Sequence, residues 1–107
     1  MVLMDFSMFP VDKGESLSAY VARVIAIVDD SGLPYRLHAM GTTVEGELDE
    51  LLDLLKRCFE ELRRDCRRIV CRVYFDDRQG RSGALEEKVR SVERQLGRTL
   101  RGAVHSA

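Results

Sequence analysis

Residues 34–46 read PYRLHAMGTTVEG. Before Gly41 the side chains alternate, with Tyr35, Leu37 and Ala39 against Arg36, His38 and Met40. After it, Thr43 and Glu45 alternate against Val44. Two short runs with a two-residue period around a glycine predict a β-hairpin, with Gly41 as the tight turn and strands over 34–40 and 42–46. What flanks this hairpin decides the fold. Upstream, Leu17, Tyr20, Val21, Val24, Ile25 and Val28 recur at helical spacing, which predicts an amphipathic helix over 17–30 with Ser16 as its N-cap. Ser31 and Gly32 stop it. Downstream, Leu48, Leu51, Leu52, Leu55, Cys58, Phe59 and Leu62 form a second apolar stripe. Acidic Glu47, Asp49 and Glu50 stand at its start and basic Arg63 and Arg64 at its end, as the helix dipole prefers.

Outside the helices lie two further strands. Residues 2–9 (VLMDFSMF) alternate until Pro10, which cannot donate to a ladder. Residues 68–75 (RIVCRVYF) form the fourth strand, followed by a turn-rich loop over 76–83. A third helix is marked by Leu85, Val89, Val92 and Leu96. The order is β-α-β-β-α-β with an extra C-terminal helix, the ferredoxin-like α+β arrangement. Right-handed crossovers then put both main helices on one face of a four-stranded antiparallel sheet. Residues 1–97 are expected to form one domain and 98–107 a flexible tail.

Composition narrows the function classes. The chain has 107 residues, 45% hydrophobic and 33% charged, with 17 basic against 18 acidic side chains and a net charge of −1. This suits a globular domain, and a near-neutral charge lacks the pull toward phosphate that a nucleic-acid binder uses. RNA-recognition modules share the topology, but the fourth strand lacks their aromatic-rich motif, and Asp5, Glu45 and Asp76 oppose phosphate. No apolar run approaches a membrane span, and the first residues lack the basic leader and cleavage site of a secretory signal. Three cysteines, Cys58, Cys66 and Cys71, form no CxxC pair and fit a reducing cytoplasm. Neither they nor His38 and His105 have metal-site spacing, so no metal and no cofactor are expected. Cys58 and Cys71 fall on core-facing positions, while arginines around Cys66 are of the kind that lowers a thiol pKa. No base partner is evident for any of them, and a non-enzymatic role is expected.

Strand alternation also sorts the two sheet faces. The apolar sets (Val2, Met4, Phe6 and Met8; Tyr35, Leu37 and Ala39; Ile69, Cys71, Val73 and Phe75) belong under the helices. The other face gathers Asp5, Ser7, Phe9, Arg36, His38, Arg72, Tyr74 and Asp76, joined by Thr43 and Glu45. Such a mixed face reads in three ways: a wet surface with weak ion pairs, a subunit interface, or a small-molecule pocket completed by a partner.

The residues His38-Ala39-Met40-Gly41-Thr42-Thr43-Val44-Glu45-Gly46 resemble the MGTxxEG signature of the small thiamine-binding protein family. Met8-Phe9-Pro10, Ser16-Leu17-Ser18-Ala19-Tyr20-Val21, Asp76-Asp77-Arg78 and Lys88-Val89-Arg90-Ser91-Val92 agree in order, and the resemblance spans about residues 2–97. It implies a non-enzymatic binder of thiamine or its hydroxymethylpyrimidine part, held in a pocket on the open sheet face of a homo-oligomer, a dimer or tetramer assembled through the sheets. The implied ligand contacts are a carboxylate from Glu45, hydroxyls from Ser7, Thr42 and Thr43, rings from Phe9 or Tyr74, His38, and close backbone approach at Gly41. The alternative is an oligomeric regulatory or interaction module with no small ligand.

Overall fold

The computed structural model describes residues 1–103. Along the chain run β1 (Val2–Pro10), α1 (Ser18–Asp30), β2 (Tyr35–His38), β3 (Gly41–Gly46), α2 (Leu48–Arg63), β4 (Ile69–Asp77) and α3 (Ala84–Leu96). The strands make one antiparallel sheet in the order β2-β3-β1-β4. This is the expected ferredoxin-like fold. Interleaving is its physical basis. Each βαβ half crosses over one strand position, so β3 fits between β2 and β1, and β1 between β3 and β4.

The alternation in β1 holds throughout. Val2, Met4, Phe6 and Met8 are buried, and they meet Val24 and Val28 of α1, Leu51, Leu54, Cys58 and Leu62 of α2, and Val44 of β3. Burying such side chains contributes roughly 1.5–3 kcal/mol each. The two outer strands are covered less well. Leu37 of β2 is 58% exposed, and Val73 and Phe75 of β4 are 38% and 37% exposed, although all three were expected under the helices. The buried core centres on β1, β3 and the two helices, which leaves the outer strands with more of their apolar surface in solvent.

Three local expectations are corrected. The hairpin turn is Ala39–Met40, and Gly41 is the first residue of β3, opposite His38. Gly41 is needed for space, not for the turn: a Cβ there would lie 2.8 Å from the Phe6 carbonyl oxygen. α1 begins at Ser18 with Leu17 at the cap position and no side-chain cap bond, so Ser16 does not cap it. Cys66 is buried, and its thiol donates to Asp65 Oδ1 at 3.6 Å. Burial first, and the Asp65 charge second, push that thiol up, opposite to the direction expected from the surrounding arginines. Burial also raises Cys71 and pushes Cys58 up to about 11. All three thiols are free, and their raised pKa values favour the protonated, unreactive form.

α2 has the acidic start its sequence implies. Glu50 accepts the Glu47 backbone N–H at 3.0 Å, closing a capping box. A clamp joins α1 to the end of α2. Arg23 donates to both Asp65 carboxylate oxygens, at 3.1 and 3.0 Å, and to the Glu61 carbonyl at 2.8 Å. The hydrogen bond from Arg23 holds the Asp65 carboxyl below its ordinary 3.8. A depressed carboxylate contributes stability that is present above its unfolded pKa and lost as pH falls through the folded value. We therefore expect the Arg23→Gln variant to lose the part of the wild-type acid sensitivity that sets in below about pH 4. Parallel denaturation curves from pH 6 to pH 2 check this; identical slopes for both proteins would remove the clamp from the acid response.

Candidate functional site

The sequence left the extra C-terminal helix without a seat; the structure puts α3 on the face expected to be open. Its N-terminus is held from below by β3. Both carboxylate oxygens of Glu45 accept backbone N–H groups of the first helical turn, Ala84 at 3.0 Å and Leu85 at 3.3 Å. Gly83 precedes the helix in a left-handed conformation and offers no side-chain cap, so Glu45 satisfies orphan donors that α3 cannot satisfy itself. Arg36 of β2 reaches Glu86 at 3.1 Å, and Asp76 of β4 pairs with Lys88 at 3.0 Å. α3 is thus tied to three strands.

That seat changes the role expected of Glu45. The side chain is only 3% exposed and its two oxygens already serve α3, so it presents no free carboxylate on an open face. Thr43 and Tyr74 also stand apart from the cavity at the end of β1. The Thr43 hydroxyl donates to Asp5 Oδ1 at 2.9 Å, and the same oxygen lies 3.1 Å from His38 Nε2. Tyr74 is 73% exposed on β4.

The other five expected residues, Ser7, Phe9, His38, Gly41 and Thr42, do come together. They line a cavity of about 540 Å3 at the end of β1, closed on its helix side by Leu17, Val21, Val24 and Ile25 of α1 and elsewhere by Leu37, Ala39, Met40, Val70 and Arg72. The volume falls in the roughly 300–1,000 Å3 range of small-molecule sites. Thr42 is buried and enters from the helix side, with the parity of Val44, whereas Ser7 and Phe9 belong to the other sheet face. The cavity lies within one chain and runs along the margin of the sheet; it is not a hollow of the open face alone.

Its cause is a mismatch of strand lengths. The β1–β3 register ends at Phe6 opposite Thr42, while β1 continues against β4 to Pro10. From Ser7 onward β1 has a neighbour on one side only. Backbone direction follows from the ladder: Val11 donates to the Arg68 carbonyl at 2.9 Å, so odd-numbered residues of β1 bond to β4 and even-numbered ones face β3. Met8 is the next even-numbered residue after Phe6, and the register places no β3 residue opposite it. The ladder thus directs its N–H and C=O away from β4, toward the side on which Met8 lines the cavity, as an adjacent donor and acceptor. Sequence reasoning missed this edge and the α1 wall, because an apolar helical stripe reads the same whether it meets side chains or a void.

The model of the thiamine-binding protein family matches residues 4–93. The chain belongs to that family. Relatives include the UPF0045 protein MJ1052 of Methanocaldococcus jannaschii, 32% identical over 91 residues that cover 85% of this chain and 91% of the relative. The UPF0045 protein sll0230 of Synechocystis is 34% identical over 96 residues, covering 89% and 79%. Among solved structures, that of MJ1052 superposes with a TM-score of 0.79 over 85% of this chain and 94% of that one. A Thermotoga maritima protein named as a candidate thiamine biosynthesis/salvage protein superposes with a TM-score of 0.76 at 27% identity, over 85% of this chain and 97% of that one. Packing explains Gly41 in this chain: it lets β3 pass within contact of the Phe6 carbonyl.

Among the described residues no helix is long and apolar enough to cross a membrane, and no three His, Cys, Asp or Glu side chains are grouped as a metal ion requires. Residues 98–103 turn back on α3, where Arg98 N–H donates to the Glu93 carbonyl at 3.2 Å and Leu100 N–H to the Glu93 carboxylate at 2.6 Å. The rest of the expected tail, with His105, lies outside the described residues.

Proposed function

We propose that this protein binds thiamine or its hydroxymethylpyrimidine part, without catalysis, in the cavity between β1, α1 and the β2–β3 hairpin. The observation that carries this reading is the β1 edge at Met8, left without a β3 partner beside a largely apolar cavity. A 4-aminopyrimidine offers a ring-nitrogen acceptor beside an amino donor, which is the complement of a strand's N–H and C=O. Apolar walls from Val21, Val24 and Ile25 suit its flat faces, and the Phe9 ring suits a stacked or cationic heterocycle, worth about 0.5–2 kcal/mol. Ser7, His38 and Thr42 supply polar groups in its lining. The family description supports the same ligand class.

Absence of chemistry is part of this reading. His38 Nε2 and the Thr43 hydroxyl converge on one oxygen of Asp5, so the carboxylate meets the same imidazole nitrogen that would have to take the hydroxyl proton and does not orient the ring as a base for it. The three free thiols support a reducing, cytoplasmic setting. Assembly into a homo-oligomer through the sheets belongs to the same reading.

Calorimetric titration tests it. Thiamine or hydroxymethylpyrimidine is expected to give saturable heat with one site per chain. Val21→Trp, which fills the cavity from α1, is expected to weaken binding at least tenfold while the circular dichroism spectrum and melting temperature stay near wild type. A folded wild-type protein that gives no saturable heat at millimolar ligand would overturn the proposal and favour an interaction module.

A further inference from the structure

Charge is distributed one-sidedly around the cavity at the end of β1. Among the described residues no aspartate or glutamate lines it, and Arg72 is the one lysine or arginine in its lining. The sheet fixes where that arginine stands. Arg72 lies opposite Ser7 in the β1–β4 register, a hydrogen-bonded pair whose side chains leave the same face of the sheet. Its neighbours along β4 on that face, Val70 and Tyr74, are uncharged. Its diagonal neighbour on β1 is Asp5, a carboxylate close enough in register to answer it. One Asp5 oxygen instead accepts the Thr43 hydroxyl at 2.9 Å and lies 3.1 Å from His38 Nε2. Among the described residues no ion pair or hydrogen bond forms on the Arg72 guanidinium, and the side chain is exposed.

We infer that the ligand of this cavity carries a phosphate monoester, held by the Arg72 guanidinium and the Ser7 hydroxyl, a conclusion that rests on the pyrimidine-binding reading above and narrows the form of the ligand. A phosphate monoester bears about 1.5–2 negative charges near pH 7 and three strong acceptor oxygens. A guanidinium meets such a group with two parallel N–H donors, and a serine hydroxyl donates to a further oxygen. An uncharged hydroxymethylpyrimidine uses neither the charge nor the fork of Arg72. Thiamine without phosphate fits the charge less well still. Its thiazolium cation would share the cavity with Arg72 and find no carboxylate in the lining to offset either charge. A phosphate on the same molecule offsets both. The other parts of the site are already matched to the ring: the Met8 backbone to the aminopyrimidine edge, and the α1 wall to its flat face. Ser7 directly precedes Met8 in β1, so the donors for the anion and the unpaired strand edge adjoin along one strand.

Paired calorimetric titrations of the full chain test this with four probes: hydroxymethylpyrimidine against its phosphate, and thiamine against thiamine monophosphate. The readout in each pair is the ratio of the two dissociation constants. Wild type is expected to hold the phosphorylated member roughly tenfold or more tighter in at least one pair, as a charged hydrogen-bond pair allows. The pair that shows it tells which ester the site takes. Arg72→Gln should bring that ratio to within about threefold of unity, and Arg72→Lys, which keeps the charge and loses the fork, should retain part of it. The wild-type preference should also shrink as sodium chloride rises from about 0.01 to about 1 M, over which the screening length falls from about 30 to about 3 Å. That measurement depends on no variant's folding. Ratios near unity in both pairs, with the unphosphorylated probes still binding, would overturn the phosphate assignment and leave the pyrimidine reading standing. A preference that survives Arg72→Gln, or one that ignores salt, would also overturn it. No saturable heat from any of the four probes would overturn both.

Discussion

Replacing Glu45 by alanine is expected to free α3 from the sheet. Among the described residues the carboxylate is the sole side chain bonded to the Ala84 and Leu85 N–H groups, and it lies beneath the helix, shielded from solvent. Removing it strands two donors in a buried first turn and erases a favourable charge at the helix N-terminus. The combined cost should be roughly 2–4 kcal/mol. The sheet, α1 and α2 do not depend on that contact, so the loss should appear as faster hydrogen exchange across residues 85–90 and a lower denaturation midpoint, with the β1 amides still protected. Glu45→Gln keeps one acceptor oxygen and should cost about half as much. If α3 amides exchange at wild-type rates in Glu45→Ala, the cap is not what seats the helix. Thiamine affinity offers a second readout. A residue that serves α3 and not the ligand should leave binding within a few-fold of wild type in Glu45→Gln; a large loss with α3 still protected would return Glu45 to the ligand site.

Substituting Gly41 by alanine should be costly for a different reason. The added methyl would sit 2.8 Å from the Phe6 carbonyl oxygen, a backbone atom in the middle of the sheet that cannot swing aside. β3 must move away from β1, which weakens the Phe6–Thr42 pair that ends the register. Overpacking of this kind costs about 1–3 kcal/mol. The same shift moves Gly41, Thr42 and His38 at the cavity wall, so ligand affinity should fall at least tenfold, with the fold retained at low temperature. Denaturant midpoints and a titration measure the two effects. Gly102→Ala is the control, because a Cβ there meets open space; it should change stability by less than about 0.5 kcal/mol. Equal behaviour of the two variants would remove the steric account of the motif glycine.

Much of this was readable from residue order. The two-residue period of β1 assigned Val2, Met4, Phe6 and Met8 to the core, and all four are buried. The hairpin between two apolar helical stripes pointed to a split βαβ sheet, since right-handed connections bring both stripes to one face. These features were legible because they depend on neighbours within a few positions, where side-chain parity and helical spacing act directly.

Of the expected site residues, Ser7, Phe9, His38, Gly41 and Thr42 meet at one cavity, while Thr43, Glu45 and Tyr74 do not. Parity alone could not separate the two sets. Glu45 is claimed by a helix that begins 39 positions later along the chain, and nothing local to Thr43-Val44-Glu45 announces that helix. Likewise the cavity exists because β3 stops where β1 continues, a difference between two registers that only the assembled sheet defines. The sequence by itself determined which side chains face the helices and in what order the strands follow. Tertiary structure decided where α3 sits, which carboxylate it consumes and where the backbone is left bare. Capping and strand-edge exposure join residues far apart in sequence, and such long-range pairings leave no periodic trace in the chain.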